Sequence, residues 1–125
     1  VLTDASYFEI LNFHLKNKNL VTVGVKEHKI SNPFGVVKIT KNKIVNIREK
    51  PQSASYISAG VYAFNQNILK LIKKKKFLDM TSLLNNLLEK KIKISAYPIH
   101  EQWLDLGLKS QYDRLRKVTK KNKKI

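Results

Sequence analysis

Eight consecutive residues, Ile57–Phe64 (ISAGVYAF), are almost entirely apolar. The run has the length of a strand, and a strand that is apolar at successive positions is expected to be covered on both faces. The chain should therefore build a sheet with helices packed on it, and this run is its expected central strand.

The segments around it fit that plan. Between Asp4 and about Lys18 the apolar residues Phe8, Leu11 and Leu15 recur at helical spacing, widened by Ile10 and Phe13, with Thr3 or Asp4 as the cap. Leu20–Val25 (LVTVGV) reads as a buried strand. Ser31-Asn32-Pro33 breaks the chain, after which FGVVKIT and IVNIR form a hairpin over Lys41-Asn42-Lys43, ended by Pro51. Asn65 or Asn67 caps a helix reaching Lys75, and Met80–Lys90 carries Leu83, Leu84, Leu87 and Leu88 on one stripe. Ile92–Ile99 is a strand with Pro98 near its end or at an edge. Gln102–Leu106 is a short strand or loop stopped by Gly107, and Leu108–Val118 a last helix. Strands and helices interleave without repeat or linker, which is the order of a single α/β unit.

Charge narrows the function less than its size suggests. The 125 residues hold 25 Lys+Arg against 9 Asp+Glu, a formal net charge of +16. Such a surface attracts polyanions. Yet only Arg48, Arg114 and Arg116 are arginine, and base readout and bidentate phosphate contacts favour the planar Arg fork. Lys73–Lys76 and the basic tail over 119–125 read as solvated surface, so nucleic acid is disfavoured as a partner. The absence of cysteine excludes a disulfide scaffold, a thiolate zinc site and a cysteine nucleophile. No apolar run approaches the roughly 18 residues of a membrane span, so no membrane partner and a cytoplasmic location are expected.

Three clusters carry chemistry. In Asn32-Pro33-Phe34-Gly35-Val36-Val37, Gly35 is either a bulge entering a strand or a place where a ligand can approach the backbone N–H. In Arg48-Glu49-Lys50-Pro51, Glu49 can accept hydrogen bonds from neighbouring hydroxyls and Lys50 can hold a phosphate, although a solvated strand end has the same composition. In Glu101-Gln102-Trp103-Leu104-Asp105-Leu106-Gly107, Asp105 is either the cap of the following helix or a carboxylate ligand for Mg²⁺. His14 is expected to be partly exposed, and His28 and His100 to lie in loops or at a strand end. None has metal-site spacing. No glycine-rich phosphate loop occurs, and the first Met is Met80, so the chain is expected to be a piece of a longer protein.

Taken in order, VLTDASYFEILNFH, TVGV, PFGVV, IREKP, ISAGVYAF, YPI and WLDLG resemble the sugar-1-phosphate nucleotidyltransferases of the mannose-1-phosphate guanylyltransferase and glucose-1-phosphate thymidylyltransferase type. The resemblance covers almost the whole chain. It implies that residues 1–125 are the C-terminal, sugar-phosphate-binding half of a Rossmann-like α/β domain, a mixed sheet flanked by helices, whose nucleotide-binding half would precede Val1. It further implies transfer of a nucleotidyl group from a nucleoside triphosphate to a sugar 1-phosphate, with Mg²⁺ as cofactor and a homo-oligomer compatible with the family. This chain alone would be inactive and would expose apolar surface and a sheet edge. Residue by residue, Gly35 would place an N–H near the sugar and Glu49 would bind sugar hydroxyls. Lys50 would hold the sugar phosphate, Ser58, Ala59 and Gly60 would line the pocket, and Asp105 would ligate the metal. The alternatives are a basic module binding RNA or acidic partners and a non-catalytic regulatory homologue.

Overall fold

The structure, a computed structural model, describes residues 1–72, 77–109, 112, 113 and 116. The expected helix over 108–118 and the Lys73–Lys76 and C-terminal basic runs fall mostly or wholly outside the described residues.

Strand β2 (Val21–Ser31) organises the fold. Strand β5 (Gln52–Phe64) lies antiparallel on one side of it and β6 (Ile94–Pro98) parallel on the other, giving a mixed sheet in the order β5-β2-β6. Alternation along β2 sends its side chains to two cores. Val21 and Val23 meet Ile68 of the short helix α2 (Gln66–Leu69) and Leu83 and Leu87 of α3 (Met80–Glu89). On the other face, Thr22 meets helix α1 (Tyr7–Lys16), and a second cluster joins Ala5, Ile10, Ala59 and Ile99, with Val61, Tyr97 and Trp103 against it. The result is an α/β/α arrangement.

Two smaller ladders complete it. Strands β3 (Val36–Thr40) and β4 (Lys43–Arg48) form the expected hairpin. Its loop is two residues long, because Lys43 pairs with Thr40, and Lys41 and Asn42 both take positive φ (48° and 61°), which suits the right-handed twist of a hairpin. The first strand, β1 (Leu2–Thr3), pairs antiparallel with β7 (Trp103–Leu104).

Several expectations are corrected. The central strand is β2, and Ile57–Phe64 belongs to the edge strand β5. Its continuous apolarity reflects two covered faces: Ala59 and Val61 serve one core, Tyr62 and Phe64 the other. The chain enters a strand before its first helix, and α1 begins later than expected, with Ser6 Oγ rather than Thr3 or Asp4 accepting the Glu9 N–H. Phe8, Leu11 and Leu15 face outward, and the helix instead buries Ile10 and His14. His14 is thus a core residue, and His28 sits within β2 opposite Ser55. Gly35 precedes β3 and is no ladder bulge; the irregularity in that hairpin lies between Lys38 and Ile39.

The helix and strand at the other end agree with their sequence. Asp79 caps α3 by accepting from the Ser82 N–H and hydroxyl, contacts that hold its carboxyl below the usual range. Strand β6 ends at Pro98 on a sheet edge, where a missing N–H costs no ladder bond.

Candidate functional site

The β2–β5 ladder changes register at one point. Val23 pairs with Tyr62 and Val25 with Ser58, so that Gly24 alone stands opposite Ala59, Gly60 and Val61. The extra residues make β5 bulge, with Gly60 at φ +73°, a left-handed conformation that glycine adopts without a Cβ penalty. Gly24 is required there for a different reason. A Cβ on it would stand 2.9 Å from Ile99 Cδ1 and 3.3 Å from both the Cβ and the carbonyl oxygen of Val61.

The bulge receives β7. Trp103 Nε1–H donates to the Ala59 carbonyl at 2.8 Å, while Thr3 Oγ1–H and Asp4 N–H both donate to the Gln102 carbonyl, at 2.7 and 3.2 Å. Lys26 Nζ holds the turn before β7 by donating to the His100 and Glu101 carbonyls at 3.1 and 2.8 Å. Two residues beyond Trp103 stands Asp105, half-buried, whose Oδ1 accepts the Gly107 N–H at 2.9 Å. A Cβ at Gly107 would lie 3.1 Å from that same oxygen, so glycine is what lets this turn close tightly on the carboxylate. The Asp105 carbonyl also accepts the Leu108 N–H at 3.1 Å. On β5 itself, Ser58 Oγ lies 2.8 Å from the Tyr62 hydroxyl, on the exposed side.

Glu49 and Lys50 follow β4 and are exposed. Gly35 abuts Glu49 and Arg48: a Cβ placed on it would be 3.8 Å from Glu49 Oε2 and 3.9 Å from the Arg48 carbonyl. Lys50 takes φ +39°, and the Asn32 N–H donates to the Pro51 carbonyl, closing the base of the hairpin. Such a backbone in a non-glycine residue persists where its surroundings hold it, often beside a ligand site.

The expected site residues therefore fall into two groups. Gly35 and Glu49 meet at the hairpin base with Lys50 next in the chain, and Ala59 and Gly60 lie in the bulge, just after Ser58, where Ala59 binds Trp103 of the Asp105 segment. Extended strand from Gln52 to Ser58, about 20 Å at ordinary strand rise, runs between them. The Trp103–Ala59 bond, the Tyr62 hydroxyl and the Lys26 clamp were not among the expected site features. Of these only Trp103 left a sequence signal, as the one tryptophan and part of WLDLG.

One carboxylate fits one kind of metal site. Among the described residues there is no group of three His, Cys, Asp or Glu that could hold an ion. A hard carboxylate donor suits a cation that takes one or two carboxylates and fills its remaining positions with phosphate and water, as Mg²⁺ does.

Comparison with known proteins identifies the class. The nucleotidyl transferase family model matches residues 1–122, and the chain belongs to that family. It is 33% identical over 114 residues to a glucose-1-phosphate adenylyltransferase of Clostridium kluyveri, matching 82% of this chain and 30% of that protein. It is 32% identical over 93 residues to the bifunctional protein GlmU of Methanocaldococcus jannaschii, 68% of this chain and 22% of that one. The fold matches HddC from Yersinia pseudotuberculosis with a TM-score of 0.53 at 18% identity, over 90% of this chain and 48% of the other. The chain spans about a third or less of the curated relatives it matches.

Proposed function

We propose that residues 1–125 form the sugar-phosphate-binding half of a nucleotidyltransferase domain, and that the protein carrying them transfers a nucleotidyl group from a nucleoside triphosphate to a sugar 1-phosphate. The observation that supports this most is the seating of the Asp105 segment on the Ala59–Val61 bulge through Trp103, inside a chain that belongs to the family. The names of the relatives, glucose-1-phosphate adenylyltransferase among them, agree with a sugar 1-phosphate as acceptor.

In this reading an oxygen of the sugar phosphate attacks the α-phosphorus of the triphosphate, a new P–O bond forms, and the bond to the departing pyrophosphate breaks. The attacking oxygen is already anionic, so no protein nucleophile or base is needed, and catalysis consists of positioning and charge neutralisation. Lys50 contributes a positive charge to the sugar phosphate. Glu49 accepts hydrogen bonds from sugar hydroxyls, with the open backbone of Gly35 beside it. Ser58, Ala59 and Gly60 line the sugar pocket. Asp105 holds Mg²⁺, which when bound neutralises charge on the reacting phosphates. Cytoplasmic location follows from these substrates, and no described helix is long and apolar enough to cross a membrane.

The test is an assay of the protein carrying this chain, with mannose, glucose or glucosamine 1-phosphate against each common nucleoside triphosphate and Mg²⁺. Pyrophosphate release with one pair is expected, and its absence with every pair overturns the reading.

A further inference from the structure

We propose that Trp103 is a positioning residue for the metal carboxylate, its indole N–H fastening Asp105 to the bulged strand that lines the sugar pocket. This rests on the functional reading above and adds to it how the two parts of the site keep their relative position.

The bulge leaves Ala59 between ladder pairs, buried, and its carbonyl accepts the indole N–H at 2.8 Å. The indole ring packs on the cluster of Ala5, Ile10, Ala59 and Ile99. Strand β7 is only two residues long, so the ladder to β1 can fix it weakly, and the side-chain bond from Trp103 is its direct tie to the main sheet. Thr3 pairs with Trp103 and Leu2 with Leu104, so Val1 and Asp105 each adjoin the last pair of that ladder in the chain. Val1 in turn reaches the bulge: a Cβ on Gly60 would lie 3.1 Å from Val1 Cγ2. The Asp105 segment is therefore tied to the bulge in two ways, through the β1–β7 ladder whose neighbour Val1 lies against Gly60 and through the Trp103–Ala59 bond. Losing the N–H donor leaves a buried carbonyl without that partner and frees β7 to shift, carrying the carboxylate with it.

The variant that isolates this role is Trp103→Phe, which keeps an aromatic ring on the cluster and removes the donor. In the protein carrying this chain, Mn²⁺ alone is titrated and its free concentration read by EPR, with Asp105→Asn in parallel. Asp105→Asn is expected to abolish the site, and Trp103→Phe to weaken Mn²⁺ about 10-fold, as loss of an orienting partner commonly does. Turnover of Trp103→Phe is expected to recover as Mg²⁺ is raised, which a general loss of stability does not produce. Wild-type Mn²⁺ affinity in Trp103→Phe, with Asp105→Asn defective, overturns the inference alone. Wild-type affinity in Asp105→Asn overturns the assignment of the metal carboxylate and the inference with it. Should Trp103→Phe fail to fold, exchange of the Trp103 indole N–H in the unaltered protein decides: protection from solvent is expected, and exchange at the free rate contradicts the bond.

Discussion

His14 Nδ1 lies 2.9 Å from Thr22 Oγ1, and both residues are buried, at 4% and 0% exposure. Asn19 Nδ2–H donates to the same Thr22 oxygen at 3.0 Å, and Ser95 Oγ–H donates to Asn19 Oδ1 at 3.0 Å, so a polar chain links α1 through β2 to β6. The Thr22 hydroxyl donates to His14 Nδ1 or accepts from it, according to which imidazole tautomer is present. Further along β6 from Ser95, Tyr97 packs its ring against Phe13 of α1 at 5.3 Å between centroids.

Burial lowers the pKa of His14 below its ordinary value of 6.5. A base with a lowered folded pKa takes up its proton more readily when unfolded. Stability is therefore at its full value above about pH 6.5 and falls as the pH drops from there toward the folded pKa, levelling off below it. Thermal melts between pH 8 and pH 5 should show this loss, and His14→Gln should flatten it. His14→Ala should cost about 1–3 kcal/mol at pH 8, since it removes one of the two partners of the buried Thr22 hydroxyl. A pH profile unchanged by His14→Gln contradicts the burial of His14 as its cause.

Gly24→Ala tests the tight contact at the bulge. With Ile99 Cδ1 at 2.9 Å and the Val61 carbonyl at 3.3 Å from the new methyl, the substitution should destabilise by about 1–3 kcal/mol, as overpacking does. Equilibrium denaturation reads it, and a neutral result would mean that β5 and Ile99 yield without cost.

At the hairpin base, Glu49→Ala and Lys50→Ala should each raise the KM for the sugar phosphate by about 10- to 100-fold, the loss of a hydrogen bond to a charged group. The KM for the nucleoside triphosphate should stay as it was. Steady-state kinetics on the active protein separates the two, and a selective rise in the nucleotide KM would contradict the assignment.

Large apolar side chains remain on the surface, among them Phe8 at 72%, Phe34 at 74% and Ile39 and Ile47 at 63% exposure. The 125-residue chain alone should therefore bind a hydrophobic dye or self-associate. A dye-silent monomer by analytical ultracentrifugation would show that these faces are covered in solution.

How far the sequence reaches depends on what each residue reports. Leu83 and Leu87, four apart, announced α3 and its buried face, and Pro98 announced the end of β6, because in both places one local signal decides. Ile57–Phe64 announced a covered strand but not its neighbours: apolarity records which faces are buried, whereas place in the sheet is set by pairing between distant segments. On α1 the stripe Phe8, Leu11 and Leu15 was misleading, since the helix turns a histidine inward to meet Thr22, and a polar residue with a buried partner is invisible to periodicity. In the site, the WLDLG string pointed to Asp105, but the bond that seats it joins residues 44 apart and could only be seen in the fold.

The central claim is that this chain supplies the sugar-phosphate and metal-binding side of a nucleotidyl transfer site. The most direct test is pyrophosphate release by the active protein carrying it, with Asp105→Asn beside the unaltered protein. The account predicts that the substitution lowers kcat by about 100-fold or more, given the several kcal/mol that metal charge stabilisation contributes. Turnover in Asp105→Asn equal to that of the unaltered protein at every Mg²⁺ concentration would contradict it.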